Sequence, residues 1–189
     1  FEKDNLKNTL GEVLSNAGKR QIRIAETEKY PHVSFFFSGG RENMFEGENR
    51  IMIPSPSVAT YDLKPEMSAK EIKLAICEEM EKNQPDFICL NFANTDMVGH
   101  TGDYQAILAA AATVDKCVEE VVNFGKKLDY SFVIIADHGN SDFAINEDGS
   151  PNTAHSTNPV PIIVIDSRVK SVNKGALKDV APTILDIMN

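Results

Sequence analysis

The sequence predicts an α/β fold, a mainly parallel sheet flanked by helices. Short apolar runs alternate with amphipathic stretches at the spacing of βαβ units. The runs at 87–92, 131–136 and 160–165 are apolar almost throughout, as strands covered on both faces are. At 189 residues the chain is one domain's worth of sequence, 1–189, without internal repeat, low-complexity tract or linker.

Taken in order, residues 2–17 read as an amphipathic helix with Leu6, Leu10, Val13 and Leu14 on one face and Gly18 as its stop. Residues 20–25 alternate enough to form a short strand. The stretch 30–37 is ambiguous: Pro31 can open a helix, whereas Phe35, Phe36 and Phe37 suit a strand equally well. Residues 41–67, with Gly47, Pro54, Pro56 and Pro65, read as loop. Ser68 and Glu71 have capping-box spacing, so a helix of about fifteen residues should begin there. Its buried stripe would start with Ile72, Leu74, Ala75 and Ile76. The strand at 87–92 leads to a long helix over 103–128, with Ile107, Ala111, Val114, Val118 and Val121 at helical spacing. The strands at 131–136 and 160–165 follow. A helix over 179–188, with Pro182 tolerated in its first turn, closes the chain.

Composition narrows the function. Nineteen basic against twenty-eight acidic residues give a net charge of −9, and no basic patch offsets it, so nucleic acid is not an expected partner. No apolar run reaches the ~20 residues a membrane span needs, and the N-terminus lacks the pattern of a signal peptide. Cys77, Cys89 and Cys117 are odd in number and set among apolar residues, which reads as reduced thiols in a cytoplasmic protein. The chain begins at Phe1 without Met and stops at Asn189, as an excised piece of a longer protein would.

The chemistry concentrates in three loops at predicted strand ends, where open α/β sheets bind ligands. After strand 87–92 come Asp96 and His100, four apart and so on one face of a helical turn. Asp137 and His138 follow strand 131–136, and His155 lies in the loop before 160–165. Singly each pair is weak, because such residues are commonly surface side chains or caps. Three of the chain's four histidines in these loops are a different matter. Oxygen and nitrogen donors without thiolates suit Mn²⁺, Zn²⁺ or Fe²⁺. His32 has no acidic neighbour in sequence and is taken as structural.

The stretches 91–102, 136–140 and 152–161, which carry these residues, resemble the cofactor-independent phosphoglycerate mutase family of the alkaline phosphatase-like metalloenzymes. The resemblance continues through 25–33, 35–42 and 56–67 and so covers nearly the whole chain. The Asp-His pair alone points only to the superfamily; the Glu-Lys-Tyr-Pro-His and Tyr-Asp-Leu-Lys-Pro-Glu-Met stretches point to the mutases.

The resemblance implies two Mn²⁺ or other divalent ions and no bisphosphoglycerate. One ion would be held by Asp96, His100 and His155. The other would be held by Asp137 and His138 together with a further aspartate and a nucleophilic serine. Lys29 matches a lysine that contacts the substrate phosphate, although composition alone reads it as a solvated surface lysine. Arg41 and Glu42 acquire no role. Ser57 and Ser156 depart from the family pattern, where lysine and threonine are usual, but neither is a ligand.

The donor count exposes a gap. The second site has two donors here, and no serine is placed as an activated nucleophile. Ser34, Ser38 and Ser141 read better as turn or cap hydroxyls. The resemblance implies that the nucleophile-bearing N-terminal segment and a transferase domain with substrate-binding arginines lie outside this chain. The phosphatase-like domain is then incomplete, and the isolated chain is expected to be inactive. The parent would interconvert 3-phosphoglycerate and 2-phosphoglycerate, small phosphorylated three-carbon acids, through a phosphoserine in glycolysis and gluconeogenesis. Another alkaline phosphatase-superfamily enzyme (a phosphopentomutase or a phosphatase) and a non-catalytic metal-binding domain are the competing readings.

Overall fold

The computed structural model describes residues 6–189. Helix α1 spans Leu10–Asn16. The part of the expected first helix at 2–5 lies outside the described residues, and Leu6 is not on the buried face but 70% exposed. The helix cannot extend back to Leu6 because Asn8 adopts a left-handed φ of 57°, with its N–H taken by the Glu12 carboxylate. Gly18, at φ 68°, ends it as expected.

Strand β1 (Gln21–Glu26) is buried at every position. It runs parallel to β2 (Glu48–Ile53) on one side and β3 (Phe87–Leu90) on the other, in the order β2-β1-β3. Strand β2 corrects the reading of 41–67 as loop throughout: Glu48-Asn-Arg-Ile-Met-Ile carries polar residues on an edge, which weakens its sequence pattern. The ambiguous stretch resolves as a π-helical turn, His32–Phe36.

Helix α2 (Ala69–Lys82) starts where expected but without a capping box. Ser68 Oγ instead donates 2.7 Å to the carbonyl of Pro54, tying the helix start to the end of β2. Ile72, Ile76 and Met80 form its buried stripe, packed with Ile22 and Ile24 of β1 and Val121. Leu74 points away and is 62% exposed, since two residues along a helix is more than half a turn from Ile72.

Helix α3 (Asn94–Gly99) leads into α4 (Tyr104–Lys126), whose N-cap Asp103 accepts from the Ala106 N–H at 2.8 Å. The buried stripe of α4 includes Ile107, Ala110, Cys117 and Val121. Ala111, expected on it, is exposed because the stripe passes through its neighbour Ala110.

Strands β4 (Phe132–Ile135) and β5 (Ile162–Ile165) pair with each other, antiparallel, as a separate two-stranded sheet. The expected, mainly parallel sheet is met by β1, β2 and β3, and this pair is the antiparallel exception for a topological reason. Parallel neighbours need a crossover, usually helical. The connection 136–161 contains only the short turn Ser141–Phe143, and it enters β5 at the end where β4 stopped. Helix α5 (Val180–Ile187) closes the chain with Pro182 in its first turn. Among the described residues no helix is long and apolar enough to cross a membrane.

Candidate metal centre

Lys29 follows directly on the carboxyl end of β1, and Asp96 on α3 follows β3. A second core of Met67, Ala93, Val98, Ala106, Ile107, Ala110 and Ala144 seats α3 against α4 and pins the loop after β4 beneath it. Asp96 therefore stands on a fixed element. Gly99 permits one of its supports. A Cβ there would collide with Asn140 Oδ1, and Asn140 Nδ2 donates 3.0 Å to Asp96 Oδ1.

The same oxygen, Asp96 Oδ1, lies 3.2 Å from His100 Nε2 and 3.1 Å from His155 Nε2. The two imidazole nitrogens lie 3.2 Å from each other. Among the described residues, this trio is the group whose donor atoms come close enough together to hold one ion. His100 Nδ1 is 2.8 Å from the Thr153 carbonyl. That contact requires the proton on Nδ1 and leaves the Nε2 lone pair facing its partners. Two imidazole lone pairs and a carboxylate oxygen converging on one point repel one another unless a cation or proton sits between them. The donor chemistry fits a divalent transition metal.

Lys29 Nζ forms a direct ion pair with the other oxygen, Asp96 Oδ2. Its side chain is only 12% exposed, which excludes the solvated surface lysine. Burial pushes the Asp96 carboxyl up, but Lys29, Asn140 and His100 outweigh it and hold the group below the usual carboxylate range. Beside Lys29, Tyr61 donates 2.7 Å to Glu28 Oε1. Burial, with that hydrogen bond, pushes the phenol up to about 12, so it remains a donor.

Asp137 and His138 stand next to the trio. His138 Nε2 lies 3.6 Å from Asp137 Oδ1 and 4.0 Å from Asp96 Oδ1, and its ring stacks on His155 at 3.7 Å. They contribute two donors, with the Asp137 carboxylate largely open to solvent. Ser156 N donates to the Gly139 carbonyl at 2.9 Å, and Ser156 Oγ donates to Asp142 Oδ2 at 2.9 Å. These bonds staple the His155 loop to the His138 loop. Asn158 and Ser156 in turn hold the Asp142 carboxyl below its usual range.

Of the serines considered as nucleophiles, Ser34 Oγ donates to the Tyr30 carbonyl and Ser141 Oγ to the Thr95 carbonyl. Ser38 is buried, with its hydroxyl unpartnered among the described residues. Arg41 stacks on Phe45, away from the cluster. His32 is exposed and close enough to Asp96, Asp137 and His138 for their charges to act on it, so it borders the site. The part of the ring shielded by its neighbours, and the Lys29 charge, lower its proton affinity.

Residues 1–189 all match one family, described as the metalloenzyme superfamily. The chain belongs to the metalloenzyme superfamily. Within the superfamily it is 61% identical over 188 residues to the 2,3-bisphosphoglycerate-independent phosphoglycerate mutase of Flavobacterium psychrophilum. It is 58% identical over 189 residues to that of Bacteroides thetaiotaomicron. Each match takes in 100% of this chain but only 37% and 38% of those proteins, so the chain spans little more than a third of these curated relatives. A crystal structure of Leishmania mexicana phosphoglycerate mutase at low cobalt concentration superposes with a TM-score of 0.90 at 27% identity. That superposition covers 97% of this chain and 37% of the other. The metalloenzyme superfamily and the donor trio agree on a divalent-metal protein.

Asn140, Gly99, Glu28 and Tyr61 went unassigned in the sequence. Asn140 sits in the Asp137-His138-Gly-Asn run, and its amide becomes meaningful only once Asp96 is beside it.

Proposed function

We propose that this chain is the metal-binding, C-terminal portion of the phosphatase-like domain of a phosphoglycerate mutase. The parent interconverts 3-phosphoglycerate and 2-phosphoglycerate through a phosphoserine, in the cytoplasm, as a step of glycolysis and gluconeogenesis. The observation that carries this reading is the convergence of Asp96 Oδ1, His100 Nε2 and His155 Nε2 at 3.1–3.2 Å, on a chain 61% identical to an enzyme of that name.

Asp96, His100 and His155 hold one divalent ion, with Mn²⁺ the proposed metal. Asp137 and His138 supply half of a second site. A bound metal supplies Lewis acidity that stabilises charge on phosphoryl oxygens and lowers the pKa of an oxygen nucleophile. Lys29, a buried cation beside the cluster, neutralises a phosphate oxygen while Asp96 keeps its ammonium in place. Glu28 and Tyr61 brace the turn that presents Lys29. Each of the three loops also positions its donors through its own hydrogen bonds, so the site is largely preorganised. The serine, the remaining donors and the arginines come from the parent's N-terminal segment and transferase domain. By itself the chain binds metal and does not turn over substrate.

Mn²⁺ titration by calorimetry tests the first half of this reading. Wild type should bind one ion tightly, and Asp96→Asn should weaken binding by at least about 100-fold. A coupled mutase assay tests the second half: the intact parent should be active and the 189-residue chain silent. Robust turnover by the isolated chain, or wild-type Mn²⁺ affinity in Asp96→Asn, overturns the assignment. A parent that acts on a pentose phosphate, or only hydrolyses phosphate esters, replaces the mutase with another member of the superfamily.

A further inference from the structure

The turn that carries Lys29 has little of its own to hold the ammonium beside Asp96. Thr27–Lys29 is a single 3₁₀ turn with no buried residue and no side-chain cap. Such a turn is weakly bonded, so its residues keep their place only through outside partners. Tyr61, through Glu28, is one of these. Another, more deeply rooted, lies across the carboxyl ends of two neighbouring strands.

Strands β1 and β2 pair in parallel as far as Glu26 opposite Ile53, so residues 54–56 emerge beside 27–29. Ser55 lies there between Pro54 and Pro56. Pro56 biases the Ser55 backbone towards extended conformations. The Pro54 carbonyl is held by the Ser68 hydroxyl at 2.7 Å. From this fixed position Ser55 meets the turn twice. Its N–H donates to Thr27 Oγ1 at 3.1 Å, and its Oγ accepts the Glu28 N–H at 3.4 Å. The second bond is long, but its direction is set. A hydroxyl has one proton to give, and Ser55 gives it to Glu26 Oε2 at 2.8 Å. The lone pairs of Ser55 Oγ are thereby left for the Glu28 N–H. Glu26 is fully buried at the end of β1, so the chain of bonds from it to the turn starts at an immobile group.

We infer that Ser55 is a positioning residue for Lys29: it fastens the Thr27–Lys29 turn to the buried Glu26 carboxyl and so fixes where the ammonium meets a substrate phosphate. The inference rests on Lys29 contacting that phosphate in the proposed mutase. Ser55 acts only through the turn.

Amine labelling of the 189-residue chain, followed residue by residue, tests the positioning without reference to catalysis. Lys29, only 12% exposed and paired with Asp96, should label slowly in wild type. In Ser55→Ala its rate should rise about fivefold, the worth of one lost hydrogen bond, and Ser55→Thr should restore it. Lys82, 64% exposed on α2, serves as the internal reference and should label equally in all three. An unchanged Lys29 rate overturns the proposal. So does a rise shared by Lys82, because Ser55 would then serve the fold as a whole. Should Ser55→Ala fail to fold, Thr27→Val removes the acceptor of the Ser55 N–H from a turn with no buried residue, and should speed Lys29 in the same way.

Kinetics of the intact parent test the consequence. Ser55→Ala should raise KM about fivefold with kcat changed less than about twofold, since Lys29 holds the phosphate throughout the reaction. In a Lys29→Met background the same substitution should add nothing to KM, the non-additivity of two residues acting through one contact. Additive effects, or a KM that rises in Lys29→Met but not in Ser55→Ala, overturn the proposal. A KM indifferent to Lys29→Met counts instead against the proposed role of Lys29 in the mutase, while the labelling contrast still decides whether Ser55 positions it.

Discussion

Strands β1 and β4 make an instructive pair. Gln21-Ile-Arg-Ile-Ala-Glu26 contains three polar or charged residues and is buried at every position. Phe132-Val-Ile-Ile135 is wholly apolar, yet none of its residues is buried, and Ile135 is 42% exposed. Hydrophobicity does not separate them; neighbours do. Strand β1 has a strand on each side and α2 against one face, whereas β4 pairs with β5 alone and reaches the core through Phe132. From residue 131 onward only Gly139, Asn140 and Ala144 are buried, and all three lie in the loop that builds the metal centre. The first two-thirds of the chain carries its own core. The last third presents apolar strands and a helix that the rest of this chain leaves only partly covered.

Substitutions in each region put this contrast to the test. The largest effect belongs to the core of the first region. Ile24→Ala, at a fully buried position, should cost about 2–5 kcal/mol in urea unfolding. Ile163→Ala on β5, half exposed, should cost less than about 1 kcal/mol in this chain. In an intact parent the cost of Ile163→Ala should rise towards that of a core substitution. If it does not, β5 has no cover there and the contrast is intrinsic to the fold.

A smaller effect probes the loop where the two regions meet. Gly99→Ala places a methyl group against Asn140 and should displace the amide from Asp96. Mn²⁺ affinity by calorimetry should fall about tenfold, with little change in unfolding.

The smallest effect is electrostatic and returns to β1. Glu26 is fully buried, and burial raises its pKa, although Ser55 and Ser68 hydrogen bonds oppose the shift. A raised carboxyl favours folding while it stays protonated. That contribution is complete below the ordinary value of about 4.3 and is lost as pH climbs through the raised one. Glu26→Gln cannot ionise. Its Tm should therefore fall less than that of wild type between acid and alkaline pH, and exceed it at the alkaline end. A parallel decline in both proteins would place the charge of Glu26 in a satisfied state.

Much of this was legible in the sequence. The apolar runs located β3, β4 and β5 to within two residues, and Gly18 marked a helix end through its left-handed backbone. The three loops named the candidate donors before any geometry was known, because a transition metal restricts the side chains that can hold it. Other features depended on tertiary partners. Strand β2 hides on an edge with charged residues at alternate positions. Ser68 has capping-box spacing, yet it spends its hydroxyl on Pro54 because the end of β2 arrives there. The sequence of β5 fits either strand direction, and only the lack of a crossover helix decides it. Asn140 and Gly99 interact through space across 41 positions of chain, beyond the reach of any local pattern.

The connection from β4 to β5 leaves and re-enters at one end of the hairpin. Its length is therefore decoupled from strand register: residues added or removed between 136 and 161 enlarge or shrink a surface excursion without sliding Phe132 past Ile165. Three of the proposed metal donors, Asp137, His138 and His155, lie within that excursion, while Asp96 and His100 are anchored outside it. Selection can thus reshape the placement of those three donors by indels alone, leaving the other two as a fixed template.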